Sequence, residues 1–170
     1  YVEDDATNPQ SVYGLSKRDG ELALQAANPR HLILRTSWVV GAHGGNFAKT
    51  MLKLATDRDS LSVVADQWGA PTSAALLADL AAHLIRQQRG NQDGFPYGTY
   101  HCVAGGETNW CDYARYVIRE AIKSLVAKGM LEVSRRVGTL VLEPTRWNLF
   151  DPEVIAWRAA SSDFDATMAR

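Results

Sequence analysis

At 170 residues, 46% of them hydrophobic, the chain can bury one core, and its formal net charge of −1 gives no basic excess for nucleic acid or an acidic membrane surface. No apolar run reaches the roughly 18 residues that a membrane-spanning helix needs. Cys102 and Cys111 lack C-x-x-C or zinc-ligand spacing, which reads as two reduced thiols in a cytoplasmic protein. The chain begins at Tyr1 rather than Met, so the lack of a visible signal peptide carries little weight.

In chain order, Asn8 is placed to cap a helix with Pro9 at its first position, where a missing N–H is harmless. Val12, Leu15, Asp19, Leu22, Ala23 and Ala26 fall near one stripe, Lys17 and Glu21 are spaced as an i,i+4 pair, and Pro29 ends the helix. His31 to Thr36 reads as a buried strand, Gly41 to Gly45 as a loop, Asn46 to about Thr56 as a helix, and Leu61 to Ala65 as another strand. Thr72 opens a helix striped by Leu76, Leu77, Leu80, Ala81, Leu84 and Ile85 and closed by Gly90. A polar, glycine-rich loop runs to Gly98, Thr99 to Val103 is a strand, and Thr108 is placed to cap a helix whose stripe runs from Trp110 to Leu125. Alternating helices and strands argue for an α/β layer architecture with parallel strands. His31, His43, His83 and His101 have no metal-ligand spacing and read as structural or solvated.

The chemistry is concentrated in Tyr13-Gly14-Leu15-Ser16-Lys17. Side chains at i and i+4 share a helical face, so this phenol and ammonium can address one small molecule. A free phenol ionises near pH 10, and a nearby cation favours the phenolate. Shifting such a value to about 7 takes roughly 4 kcal/mol of differential stabilisation. The pair suits general acid/base work on a carbonyl–alcohol couple. Alone, Y-x-x-x-K also fits a half-buried tyrosine beside a solvated lysine.

The surrounding blocks carry more. Asn8 to Lys17 resembles the catalytic helix entry of the extended short-chain dehydrogenase/reductase superfamily. Further blocks follow in order: His31 to Gly41 with Arg35-Thr36-Ser37-Trp38, Gly45 to Met51, Asp66-Gln67-Trp68-Gly69-Ala70-Pro71-Thr72, and Gly98 to Gly106 leading into Thr108-Asn109-Trp110. Together they are most similar to the dTDP-4-dehydrorhamnose reductase family.

The resemblance implies an α/β fold: the second half of a Rossmann-type parallel sheet with helices, plus part of a small substrate-binding domain. Residues 1–106 would be the C-terminal part of the NAD(P)-binding domain with inserted pocket segments, 107–131 a substrate-domain helix, and 132–170 a divergent or frame-shifted tail. Tyr13 would give a proton to the carbonyl oxygen of a 4-keto dTDP-sugar, with NADPH or NADH as reductant. Lys17 would hold the nicotinamide ribose. Trp38 would lie against the sugar or its nucleotide, although Val39 and Val40 also suit an ordinary core tryptophan. Asn46, equally a helix cap, and Gln67 would contact the substrate; Thr36 and Ser37 stand at a strand end where ligands gather. Mg2+ and a homodimer belong to the expectations for the longer protein.

Three departures matter. No G-x-x-G-x-x-G, the phosphate-cradling turn, occurs in the 170 residues, and no strand bearing the usual serine or threonine precedes the tyrosine helix. The family's chain is nearly twice this long, so the piece alone is expected to be inactive. Past Glu132 only Arg146-Trp147-Asn148 echoes the family's R-P-x-N-S-type motif. Two alternatives stand beside the reductase: another nucleotide-sugar epimerase or dehydratase using the same Tyr and Lys, and a non-catalytic subunit of the methionine adenosyltransferase type.

Overall fold

A computed structural model describes residues 1–58, 60–134 and 138–160, with the Arg158 side chain left aside. Helix α1 runs from Val12 to Ala27, three positions later than Asn8 and Pro9 suggest. Ser11 is the actual cap: its backbone is extended, its Oγ accepts from the Gly14 N–H at 3.1 Å, and its carbonyl takes the first helical bond from Leu15. Pro9 instead folds back over the first turn, where a Cβ on Gly14 would come within 3.0 Å of Pro9 Cβ.

Strand β1, Leu32–Arg35, pairs in parallel with β5, Gly98–His101, in the register Leu32↔Gly98 to Arg35↔His101. This pair is the parallel core that the sequence pattern implies. A second parallel pair joins β2, Val39–Val40, to β4, Thr72–Ser73. Thr72 is thus drawn into a ladder rather than a helix, and α3 starts two residues later, at Ala74–Gly90. The Thr72 side chain is 0% exposed and fully used, donating to Ala70 O at 3.1 Å and accepting from the Ala104 N–H at 3.2 Å.

Helix α2 spans Phe47–Asp57, and Asn46 caps it through the Lys49 N–H at 3.1 Å. The predicted strand at Leu61 to Ala65 does not form. Among the described residues, that segment is anchored by a backbone bond from Cys111 N–H to Val64 O and has no neighbouring strand to pair with. β3, Trp68–Gly69, runs antiparallel to β6, Thr108–Asn109. β6 runs directly into α4, Trp110–Ala127, so the cap is the last ladder residue, Asn109, whose Oδ1 accepts from the Asp112 N–H at 2.9 Å.

Residues 132–170 offered no readable element, yet the described part is built onto the end of α4. β7, Leu131–Ser134, and β8, Gly138–Val141, form an antiparallel pair, a 3-10 turn covers Pro144–Arg146, and α5 spans Pro152–Ala160. Lys128 is the junction. Its buried ammonium meets Glu153 at 3.0 Å and Ser124 Oγ at 2.9 Å, and its carbonyl accepts from the Asn148 N–H at 2.7 Å. Val154, on α5, is 1% exposed. Among the described residues, no helix is long and apolar enough to cross a membrane.

Candidate functional site

Helix α1 presents Tyr13 and Lys17 on one open face. Tyr13 is 72% exposed, and the Lys17 ammonium sits 5.2 Å from the centroid of its ring. A cation over an aromatic face is attracted by the ring quadrupole, so the pair that the i,i+4 spacing suggests is formed without a ligand. Beside it lies a cleft of about 860 Å³, lined by Asn8, Gly14, Lys17, Thr36, Ser37 and His101 among others. Tyr13 is not part of that lining and stands on the adjoining surface.

The expected Lys17–Glu21 pairing gives way to a stronger partner. The Arg35 guanidinium, at the end of β1, grips the Glu21 carboxylate through Nε at 3.1 Å and Nη2 at 2.8 Å. Two rigid N–H donors match two carboxylate oxygens, which a flexible ammonium cannot do. Hydrogen bonding to Glu21 holds the Arg35 pKa above its ordinary value. Lys17 therefore remains free to face Tyr13. The N-terminal segment closes the same side: Glu3 accepts from the His101 N–H at 2.8 Å, and this bond above all lowers the Glu3 pKa.

Trp38 lies in a different environment. Its φ of +44° puts a large side chain in the left-handed region, where non-glycine residues are strained by roughly 1–3 kcal/mol. The half-buried indole stacks on Trp110, with centroids 3.5 Å apart and planes 12° apart, and Phe47 and Tyr113 complete the cluster. Burial raises the Tyr113 pKa, so the phenol stays neutral among these rings. The Ser37 hydroxyl is engaged with Ala70 O at 2.9 Å.

Asn46 uses both ends of its amide, capping α2 and donating to Gly41 O at 2.8 Å, while its neighbour Phe47 joins the aromatic cluster. Lys49 reaches back to the carbonyls of Ala42 and Gly44 and closes the 41–45 loop. Gln67 is exposed before β3. The structure thus unites Tyr13 with Lys17, and Trp38 with the residue after Asn46, but does not line one cavity with all five. Sequence reading assigned Trp110 and Tyr113 to a helix stripe and missed their contact with Trp38, which no local spacing reveals. Among the described residues, no group of three or more His, Cys, Asp or Glu comes together as a metal site.

Two parallel strand pairs, an open Tyr–Lys helix face and an aromatic cluster around Trp38 and Trp110 define an α/β module with a cleft beside its first helix. The family model of the RmlD substrate binding domain matches residues 1–140, and the chain belongs to that family. It is 52% identical over 134 residues to the dTDP-4-dehydrorhamnose reductase of Salmonella typhimurium, covering 79% of this chain and 44% of that protein. It is 54% identical over 146 residues to the reductase of the same name from Shigella flexneri, covering 86% and 48%. A solved dTDP-4-dehydrorhamnose reductase from Bacillus anthracis, in complex with NADP, superposes with a TM-score of 0.63 at 37% identity, covering 70% of this chain and 40% of that one. The chain spans about half the length of the curated relatives it matches.

Proposed function

We propose that this chain is the C-terminal half of an NAD(P)H-dependent dTDP-4-dehydrorhamnose reductase, converting dTDP-4-dehydro-L-rhamnose to dTDP-L-rhamnose. The observation that carries this reading is the Lys17 ammonium over the Tyr13 ring on an open helix face beside a cleft. The exposed lysine suits the hydroxyls of a nicotinamide ribose, so the residues present fit that end of a dinucleotide. The pyrophosphate end would rest on residues other than these, since no glycine-rich cradle occurs in the sequence. The nicotinamide, when bound, supplies the hydride that reduces the sugar's carbonyl carbon.

Tyr13 supplies the matching proton. Its O–H points to the carbonyl oxygen at C4, and the O–H bond breaks as the new hydroxyl forms, leaving a phenolate. The positive charge of Lys17 stabilises that phenolate until solvent returns the proton. Trp38 offers the deoxysugar or its nucleotide an apolar ring with one N–H donor, and Asn46 and Gln67 are the further side chains this reading assigns to the substrate. In this reading residues 1–106 complete a nucleotide-binding sheet, and 107–131 belong to the substrate side.

The test is NADPH oxidation dependent on dTDP-4-dehydrorhamnose, in the protein that carries this chain. Tyr13→Phe removes one proton donor and is expected to slow turnover by about 10²- to 10⁴-fold. Lys17→Met is expected to raise the cofactor KM as well as lower kcat. Wild-type turnover in Tyr13→Phe would refute the assignment.

A further inference from the structure

Gly69 faces Trp38 in a slot fixed from two sides. The β3–β6 ladder pairs Gly69 with Thr108, and Trp110 follows β6 directly, so one ladder sets the places of Gly69 and Trp110 together. The β2–β4 ladder pairs Val39 with Thr72, and the Thr72 N–H donates to the Trp38 carbonyl at 3.1 Å. A Cβ on Gly69 would lie 2.4 Å from Cε2 of Trp38 and 2.7 Å from both Cζ2 and Nε1. Those atoms belong to a rigid double ring that is itself held against Trp110. The Gly69 backbone is outside the left-handed region, so it is space, and not backbone conformation, that requires glycine here.

Resting on the reading that Trp38 meets the sugar nucleotide, we propose that Gly69 is a positioning residue, whose missing side chain sets the place of the Trp38 indole. Any larger residue drives the indole off Trp110. The Trp38 backbone, already at φ +44°, has little freedom to follow. The ring that receives the ligand is then displaced by an ångström or more.

The experiment compares Gly69→Ala, Trp38→Ala and the double variant in the protein that carries this chain. Circular dichroism in the far-ultraviolet indole band reads the coupling between two stacked tryptophans. Thermal melting reads the clash, and titration with dTDP-L-rhamnose reads recognition. Gly69→Ala is expected to lose the coupled signal and to bind on the order of tenfold more weakly, the loss of about one aromatic contact. The double variant is expected to melt and bind like Trp38→Ala alone, because without the indole the added methyl has room. A coupled signal that survives Gly69→Ala overturns the proposal. So does an equal loss of stability from Gly69→Ala with and without the indole. Failure of the underlying reading shows separately: if Trp38→Ala binds dTDP-L-rhamnose as the unaltered chain does, or the unaltered chain does not bind it, the role of Gly69 in recognition falls even where the indole signal moves.

Discussion

Helix α1 carries the Tyr13–Lys17 pair yet has no buried residue, so the polar ties that hold it to the sheet matter. The chief one is the Glu21–Arg35 fork; a second is Gln25 Nε2 donating to Thr99 Oγ1 at 3.2 Å. Glu21→Ala removes the acceptor of three N–O contacts of 2.8 to 3.1 Å and leaves Arg35 facing Glu3 O alone at 3.5 Å. Hydrogen bonds between charged groups contribute about 1.5–3 kcal/mol when shielded from water. The two side chains are 25% and 22% exposed, so screening trims the expected loss to about 1–2 kcal/mol. For a chain of this size that lowers the melting temperature by roughly 2–8 °C. Hydrogen exchange should speed up along α1 before β1, because the helix loses its tether while the β1–β5 ladder keeps its own bonds. Glu21→Gln, which keeps an acceptor, should lose about half as much. A Glu21→Ala protein that melts within about 1 °C of the parent, with unchanged exchange in α1, would refute the reasoning.

The N-terminal tether is sensitive to acid. Glu3 has a lowered pKa in the folded chain, so its contribution is present above the ordinary glutamate range and lost as pH falls through the folded value. Proteolysis or exchange at residues 1–10 is expected to rise on acidification in the parent and to be high at every pH in Glu3→Gln. Gly129 turns the chain out of α4 with φ +70°, and a Cβ there would lie 2.8 Å from the Arg146 carbonyl oxygen. Gly129→Ala is therefore expected to cost about 1–3 kcal/mol in thermal unfolding and to release α5, read as faster exchange at Val154. Unchanged protection of Val154 would show that the turn does not hold the tail.

Periodicity made the long helices and the β1–β5 strands legible, because each buries or presents one face over many residues. Boundaries were lost where two local solutions compete. Asn8-Pro9 is a good helix start on paper, but Ser11, itself extended, caps the Gly14 N–H and the helix begins after it. Thr72 read as a helix start and Thr108 as a cap, and both were taken by two-residue ladders with partners more than thirty positions away. Leu61 to Ala65 has strand composition but no neighbour to pair with, which composition cannot reveal. The Tyr13–Lys17 pair was readable since its spacing is local. The Trp38 slot was not, because Gly69, Phe47, Trp110 and Tyr113 meet only after the sheet registers are set. In the tail, the turn at Gly129 and the buried Lys128 are tertiary features with no periodic signature.

The most direct test of the proposed activity is a chimera in which residues 1–140 of this chain replace the matching segment of the Salmonella typhimurium reductase. The expected result is NADPH oxidation that requires dTDP-4-dehydrorhamnose, falling about 10²- to 10⁴-fold on Tyr13→Phe. A folded chimera with no such activity, or one indifferent to Tyr13→Phe, would contradict it.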